Sequence, residues 1–192
     1  MHILGQFGPA LRLLVVLTVL LGLAYPLTVT GVAQVAFPGQ ADGSLVRQDG
    51  RVVGSSLVGQ SFAKDASYFQ SRPSAAGDGY DPLAASASNL GLDNADLVTL
   101  VRQRRAAAAK LDGVAGRDVP ADALLASGSG LDPQISPAYA EAQVARVAER
   151  RGLPKARVRA LVERYTQGRT LGVLGEPRVN VLRLNLALDA IG

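Results

Sequence analysis

Residues 13–37 of the 192-residue chain read LLVVLTVLLGLAYPLTVTGVAQVAF, and no Asp, Glu, Lys or Arg occurs in this stretch. About 20 mostly apolar residues in a helix cross the hydrocarbon core of a bilayer. The sequence therefore predicts one membrane-spanning helix over residues 11–36, with some room for tilt. Pro26 is expected to kink this helix or loosen one turn, and a neighbouring helix or the hydroxyls of Thr28 and Thr30 can compensate.

Two other interpretations of the apolar stretch are a buried core helix and a cleaved signal peptide. A core helix of this length would seldom lack a charge. A signal peptide would use Arg12 as its basic region and the small residues 31–33 near the cleavage point. Because the apolar run continues past that point to Phe37, we expect a retained anchor.

The charges on the two sides of this helix give no orientation. Arg12 lies on one side, whereas Arg47 and Arg51 lie on the other, where Asp42 and Asp49 offset them. The positive-inside rule therefore does not favour either orientation. Both a signal and an anchor would commonly send the C-terminal domain outside the cytoplasm.

The composition divides the chain into an N-terminal segment with the membrane helix, residues 1–36, and a soluble accessory domain, residues 37–192. In the second part, an Asp49-Gly50 pair between β-prone residues predicts a tight hairpin. The expected fold class is α+β: one transmembrane helix, then a helix-rich extracytoplasmic α+β domain with a small β-hairpin.

Further helices are predicted from apolar positions three and four residues apart, from capping residues, and from glycines that stop a helix. The predicted helices are one capped by Asn94 and ending near Gly113, one capped by Ser136 and ending at Gly152, and one from Pro154 to Gly168. The tail, residues 179–191, fits two patterns: leucines at every second position from 182 to 188 alternate as in a strand, whereas Val181, Leu184, Leu188 and Ile191 fit a helix capped by Asn180. A helix is the preferred interpretation.

Two long loops separate these elements. Residues 71–91 are too long for a simple connection. Disorder is one interpretation of this stretch, but Tyr68, Phe69, Tyr80 and Leu83 indicate that it packs against the domain. In the second loop, residues 127–137, Gly128 and Gly130 are expected to need a positive φ, and Asp132 is expected to form an Asx-turn before Pro133.

The composition excludes several kinds of chemistry. The chain has no cysteine and one histidine, His2, so it cannot build a soft-metal site or a Ser-His or Cys-His nucleophile. We therefore expect no catalytic residue and no metal ligand. The net charge of +4 comes from arginines interleaved with Ala and Glu on helices, and aromatic residues are scarce. This pattern favours a solvated surface over a nucleic-acid-binding one.

The segment 54–61 has the glycine spacing of a phosphate-binding loop. Gly54 and Gly59 match the two glycines, but Gln60 stands where the motif has its lysine. Without that cation, the segment is interpreted as a glycine-rich strand end and loop. Gly54, Ser55, Gly59 and Gln60 remain the candidates for nucleotide binding.

The motifs, taken together, resemble the C subunit of the Kdp-type potassium-transporting P-type ATPase, and the resemblance covers almost the whole chain. The matching segments are the N-terminal anchor, 54–62, 68–75, 88–94, 126–137, 143–152, 168–169, 175–177 and 179–189. The run SGSGLDP…ISP within 126–137 is the most specific of them. Gln134 departs from the family's pattern, in which a histidine is common.

The resemblance implies a non-catalytic accessory or assembly subunit of an ATP-driven, high-affinity potassium import complex. Its partners would be the channel-like potassium-binding subunit, the P-type ATPase subunit and membrane lipid, without nucleic acid. It would hold no tightly bound cofactor, and any contact with ATP would be made together with the pump subunit. It would be anchored in the inner membrane. From there, its domain would cover the external entrance of the channel-like subunit. The candidate partner contacts are Pro26, Arg72, Asn89, Ser129 and Asp132.

Two alternatives stay open. The family's glycine-serine-glutamine stretch is also associated with a catalytic chaperone that raises the ATP affinity of the pump subunit, and residues 54–60 are similar to it. A secreted solute-binding protein, released by signal cleavage, is the other alternative.

Overall fold

The computed structural model describes residues 3–192, which form two compact units, one ending at Val53 and one running from Gly54 to Gly192. Helices and two small sheets alternate along the chain, which confirms the predicted α+β class. The elements in chain order are α1 (Ile3–Val19), a π-helical turn (Leu20–Ala24), α2 (Tyr25–Ala36), α3 (Pro38–Ala41), β1 (Leu45–Gln48), β2 (Arg51–Ser55), α4 (Ala95–Asp112), two 3-10 turns (Gly116–Asp118 and Ala121–Ala123), β3 (Gln134–Ile135), α5 (Pro137–Arg151), α6 (Lys155–Tyr165), β4 (Thr166–Gln167), β5 (Arg178–Asn180) and α7 (Val181–Asp189).

The first unit contains a continuous helical run, Gly5–Ala36, that is long and apolar enough to cross a membrane, with a mean hydropathy of 2.2 in its most apolar window. The π-helical turn directly precedes Pro26, and there the Tyr25 N–H donates to the carbonyl of Leu20, five residues back. The Thr28 hydroxyl donates to the Ala24 carbonyl at 2.7 Å. The expected loosening near Pro26 is therefore confirmed, since proline removes one helical hydrogen bond.

The predicted hairpin is also present. Strands β1 and β2 pair with each other, and Asp49 and Gly50 connect them with φ values of 49° and 76°. Two successive positive φ values are those of a type I′ turn, whose twist matches the twist of the strands.

The capping predictions are confirmed at three helices. The Ser136 hydroxyl, for example, accepts from the Tyr139 N–H at 3.0 Å. Gly113 and Gly152 end α4 and α5 in the left-handed conformation, as glycine does without steric cost. The other two caps are Asn94 at α4 and Asn180 at α7.

The prediction that Gly168 ends the third helix is wrong. Helix α6 stops at Tyr165 because Thr166 and Gln167 leave it to pair with β5. Strand β5 also pairs with β3, so the three strands form an antiparallel sheet in the order β3-β5-β4. These strands are two or three residues long, too short to show an alternating pattern in the sequence.

The core of the second unit lies where α5, α6 and α7 pack around β5. Phe69, from the irregular segment before the first long loop, is completely buried in this core. The other fully or nearly fully buried apolar side chains are Ala140, Val144, Val147, Ala148, Val158, Val179, Val181, Leu184 and Leu188.

Candidate functional site: two surface loops and their supports

Buried side-chain amides hold the irregular segment 66–70, which has no neighbouring strand. The amide of Asn185 in α7 accepts from the Phe69 N–H at 2.9 Å and donates to the Phe69 carbonyl at 3.0 Å. Gln143 in α5 does the same at Gln70, accepting at 2.6 Å and donating at 3.2 Å. Each amide thereby supplies the donor and the acceptor that a strand would supply, so the buried backbone is satisfied.

Arg146 ties this segment to α4. Its side chain is 5% exposed, and its guanidinium donates to the Asp112 carboxylate at 2.7 Å, where the carboxylate is 2% exposed. It also donates to the carbonyls of Ala66 and Tyr68 and to the Gln143 amide oxygen. Burial raises the pKa of Asp112, and the hydrogen bond from Arg146 opposes that rise. Removing either Arg146 or Asp112 would therefore leave the other charge buried without its partner.

The two long loops, loop A (residues 71–91) and loop B (residues 127–137), are hydrogen-bonded to each other. The Ser74 hydroxyl in loop A donates to the Gly130 carbonyl in loop B at 2.7 Å and accepts from the Tyr80 N–H at 2.9 Å. The Ser86 N–H donates to the Ser129 carbonyl at 2.9 Å. The prediction that loop A packs against the domain is thus confirmed.

Gly130 marks the closest approach of the two loops. Its φ is +70°, and a Cβ there would lie 2.6 Å from the Ser86 carbonyl oxygen and 2.7 Å from the Ala76 nitrogen. The same expectation for Gly128 is wrong, since Gly128 has no positive φ and no atom within 4 Å of a built Cβ. Of these two positions, only residue 130 must be glycine for the backbone to adopt its conformation.

Arg72 and Asp132 join the loops by an ion pair at 3.3 Å. Arg72 also donates to the Leu125 carbonyl at 3.3 Å, and its own carbonyl accepts from the Tyr80 hydroxyl at 2.8 Å. The other oxygen of Asp132 accepts from the Gln134 N–H at 3.0 Å, which is the predicted Asx-turn. Three of the five candidate partner contacts, Arg72, Ser129 and Asp132, therefore lie where the loops meet.

The other two candidates lie elsewhere. Asn89 is exposed near the end of loop A, with a φ of 53° that few residues other than glycine adopt. Pro26 belongs to the apolar helix of the first unit. The expectation that Leu83 helps to pack loop A is wrong, because Leu83 is 96% exposed at the surface of that loop.

The glycines of the candidate nucleotide segment have steric roles inside the second unit. A Cβ at Gly54 would collide with the Gln60 amide and approach Leu182 to 2.9 Å. A Cβ at Gly59 would collide with the Tyr80 ring and lie 2.7 Å from the Asp132 carbonyl oxygen. Within the described chain no helix begins between residues 56 and 94, so no helix N-terminus follows Gln60.

The supporting roles of Gln143, Arg146 and Asn185 were not predicted from the sequence. A usable signal was present, because Gln143 and Arg146 fall on the face of α5 that also carries Ala140, Val144 and Val147. A polar residue on the apolar face of a helix needs a buried partner. The sequence could not show that these side chains bind backbone groups of a segment that is far away along the chain.

The fold and the site define a class of protein: a folded α+β unit with two interlocked surface loops, on a chain whose described residues include one helix of membrane-spanning length. Among residues 3–192, no three His, Cys, Asp or Glu side chains are grouped to hold a metal ion. Residues 7–190 match the family described as "KdpC: K+-transporting ATPase, c chain". The chain belongs to this family.

Curated relatives agree with that assignment over almost the whole chain. The "Potassium-transporting ATPase KdpC subunit" of Kineococcus radiotolerans is 57% identical over 187 residues, covering 97% of this chain and 94% of the relative. The proteins of the same name from Caulobacter vibrioides and Sorangium cellulosum are also 57% identical, over 189 and 187 residues, covering 97% of this chain and 94% and 98% of the relatives.

Membership confirms that the chain is a subunit of a potassium-transporting ATPase in a membrane transport complex. Potassium is the transported substrate of that complex, and the ATPase activity lies on a different subunit. The prediction that this chain is not an enzyme by itself is thereby confirmed.

Proposed function

We propose that this chain is an accessory and assembly subunit of a high-affinity potassium import complex, and that it covers the external entrance of the channel-like subunit. The observation that carries the proposal is the surface formed by loops A and B. Their polar motif residues hydrogen-bond to one another, which makes the loops rigid, while Leu83 remains almost fully exposed. Rigidly supported loops with exposed apolar side chains suit contact with another protein.

The arrangement in the membrane is part of the same proposal. Residues 1–36 anchor the chain in the inner membrane as a single span, and residues 37–192 form the accessory domain on the extracytoplasmic side. The channel-like subunit and the P-type ATPase subunit are its partners, with lipid around the helix. The apolar run and the family support the anchor, and Pro26 is our candidate for its contact with a partner helix.

Copurification from detergent-solubilised membranes tests this proposal. We expect the tagged, uncleaved chain to bring down a channel-like subunit and a P-type ATPase, with Met1 or His2 still present by intact-mass analysis. Leu83→Ser should lower the yield of partners several-fold without changing thermal unfolding, because it removes apolar contact area and no internal packing.

The matched control is Leu171→Ser, since Leu171 is 86% exposed but lies outside loops A and B. We expect this variant to copurify its partners normally. Equal yields for wild type and Leu83→Ser would contradict the role of the loops. A shortened chain that purifies alone would contradict the anchor and the accessory role together.

The second candidate function is a catalytic chaperone that raises the ATP affinity of the pump subunit. It is supported by the spacing of Gly54, Gly59 and Gln60 and by the family's association with this role. It predicts saturable ATP binding to the assembled complex that depends on this chain and is lost in Gln60→Ala. Because the glycines have local steric roles and a glutamine, residue 60, stands where the motif has its lysine, we expect Gln60→Ala to leave ATP binding unchanged.

A further inference from the structure

An apolar groove with a volume of about 390 Å³ runs beside α4. Leu92, directly after loop A, and Leu125, two residues before loop B, line it from outside the helix. The Leu125 carbonyl also accepts from Arg72 in loop A, so the groove borders the two loops. The remaining lining residues are spaced by one, three or four positions and therefore lie on one face of α4. They are Leu97, Val98, Val101, Arg102 and Arg105.

The groove exposes apolar side chains that the fold does not bury. Leu92 is 95% exposed, and Val98 and Leu125 are exposed as well. Val101 differs from them, because it also packs against the core. A concave surface lined by exposed apolar side chains is typical of a site that another molecule covers.

Two arginines give this groove an uncompensated charge. Arg102 and Arg105 are exposed and take part in no hydrogen bond or ion pair among residues 3–192. No Asp or Glu is among the described residues that line the groove. Two carboxylates, Asp93 and Asp96, lie near the start of α4, and Asp96 precedes Arg105 by nine residues, about 13 Å along the helix axis. The positive charge is therefore confined to the end of the groove that Arg102 and Arg105 line.

We propose that this groove binds an apolar segment of a partner subunit that carries a carboxylate at the end lined by Arg102 and Arg105. The apolar side chains of the segment cover Leu92 and Val98, and the carboxylate accepts hydrogen bonds from a guanidinium in the bidentate geometry that arginine favours. The proposal rests on the proposed accessory function, because it assumes a partner subunit at this surface.

A protein segment suits the groove better than an anionic bilayer surface. The groove is concave and can receive protruding side chains, whereas a bilayer surface is flat. Asp93 and Asp96 lie next to the first lining residues, and anionic headgroups would repel both carboxylates. A partner segment with its carboxylate at the other end avoids that repulsion.

The first test reverses the charge of the groove in the tagged full chain, with Arg102→Glu and Arg105→Glu combined. We expect the yield of copurified partner subunits to fall on the order of tenfold, because attraction becomes repulsion. Thermal unfolding should not change, since both side chains are exposed and without partners in residues 3–192. Leu92→Ser should also lower the yield several-fold, because it removes only exposed apolar area.

The matched control combines Arg157→Glu and Arg164→Glu in α6. Both arginines are exposed, take part in no ion pair of the described chain and do not line the groove, and the net charge changes equally. This variant should copurify its partners like the wild type. If Leu83→Ser loses the partners but the charge reversal in α4 does not, the groove proposal is overturned and the accessory role stands. A wild-type chain that brings down no partner contradicts the accessory role itself.

The second test identifies the carboxylate in the assembled complex. Arg102→Lys keeps the charge and supplies an amine, which a carbodiimide joins without a spacer to a carboxylate in contact with it. We expect a cross-link from position 102 to an Asp or Glu of a partner subunit, and none from Arg157→Lys. Cross-links from position 102 only to acids of this chain, or no cross-link at all, overturn the proposal.

The third test addresses lipid as the occupant. The chain has no cysteine, so Val98→Cys gives the full chain one attachment point for a polarity-sensitive fluorophore. The labelled chain is reconstituted without partners into vesicles of phosphatidylcholine, alone or mixed with phosphatidylglycerol. We expect the same emission in both and a blue shift only in the assembled complex. A blue shift caused by phosphatidylglycerol alone would assign the groove to the membrane surface and overturn the proposal.

Discussion

Arg146→Met lowers the free energy of unfolding by about 3–5 kcal/mol, the largest loss that we expect from one side chain in this protein. The change leaves the Asp112 carboxylate buried without its partner, and it removes the donors to the carbonyls of Ala66 and Tyr68. A loss of that size lowers the melting temperature of a protein this large by roughly 10 °C. Thermal unfolding of the full chain in detergent, followed by tyrosine circular dichroism, measures it.

Arg159→Met is the control for this experiment. Arg159 also pairs with a carboxylate, Glu141, but both side chains are about half exposed. Water and salt screen such a pair, so we expect no measurable change in melting temperature. If the two variants unfold at the same temperature, the Arg146 network does not support the fold as described.

Gly130→Ala is expected to cost about 2–4 kcal/mol, the second large effect. An alanine there would need a φ of +70°, and its methyl group would press on the backbone of Ser86 and Ala76. Left-handed strain and overpacking each contribute roughly 1–3 kcal/mol. Because backbone cannot move aside as a flexible side chain can, we expect loops A and B to separate at this point. Limited proteolysis of loop A, together with thermal unfolding, measures both consequences.

Gly128→Ala is the matched comparison two residues away. It introduces the same methyl group in the same loop, but at a position without positive φ and without neighbours within 4 Å. We expect unchanged or slightly raised stability, because alanine restricts the unfolded chain more than glycine does. Similar losses in both variants would show that loop B as a whole is sensitive, and that the contact at Gly130 is not the cause.

Local signals in the sequence predicted most of the second unit's helices. Asn94 and Ser136 cap helices because their side chains reach N–H groups two or three residues away, a distance that the sequence itself contains. The Asp49-Gly50 turn is predictable for the same reason. The sheet β3-β5-β4 was not predictable from the sequence, because the strands that pair are far apart in the chain and each is very short.

The candidate site was predictable in part. The sequence motifs predicted Arg72, Ser129 and Asp132 as candidate contacts, and the structure brings these three residues together where loops A and B meet. Asn89 lies near the exposed end of loop A, and Pro26 belongs to the first unit. The exposure of Leu83 could not be inferred, because a leucine in a long loop is equally compatible with a buried and a surface position.

The π-helical turn before Pro26 divides the apolar helix into two lengths that are out of phase. An α-helix turns by about 100° per residue, so the one additional residue in a π-helical turn rotates everything after it by about that angle. A partner helix that follows one stripe of side chains on α1 therefore meets a different set of side chains beyond Ala24 than an unbroken helix would present. Two separate stripes, one on each side of Leu20–Ala24, are the surfaces along which neighbouring helices can pack.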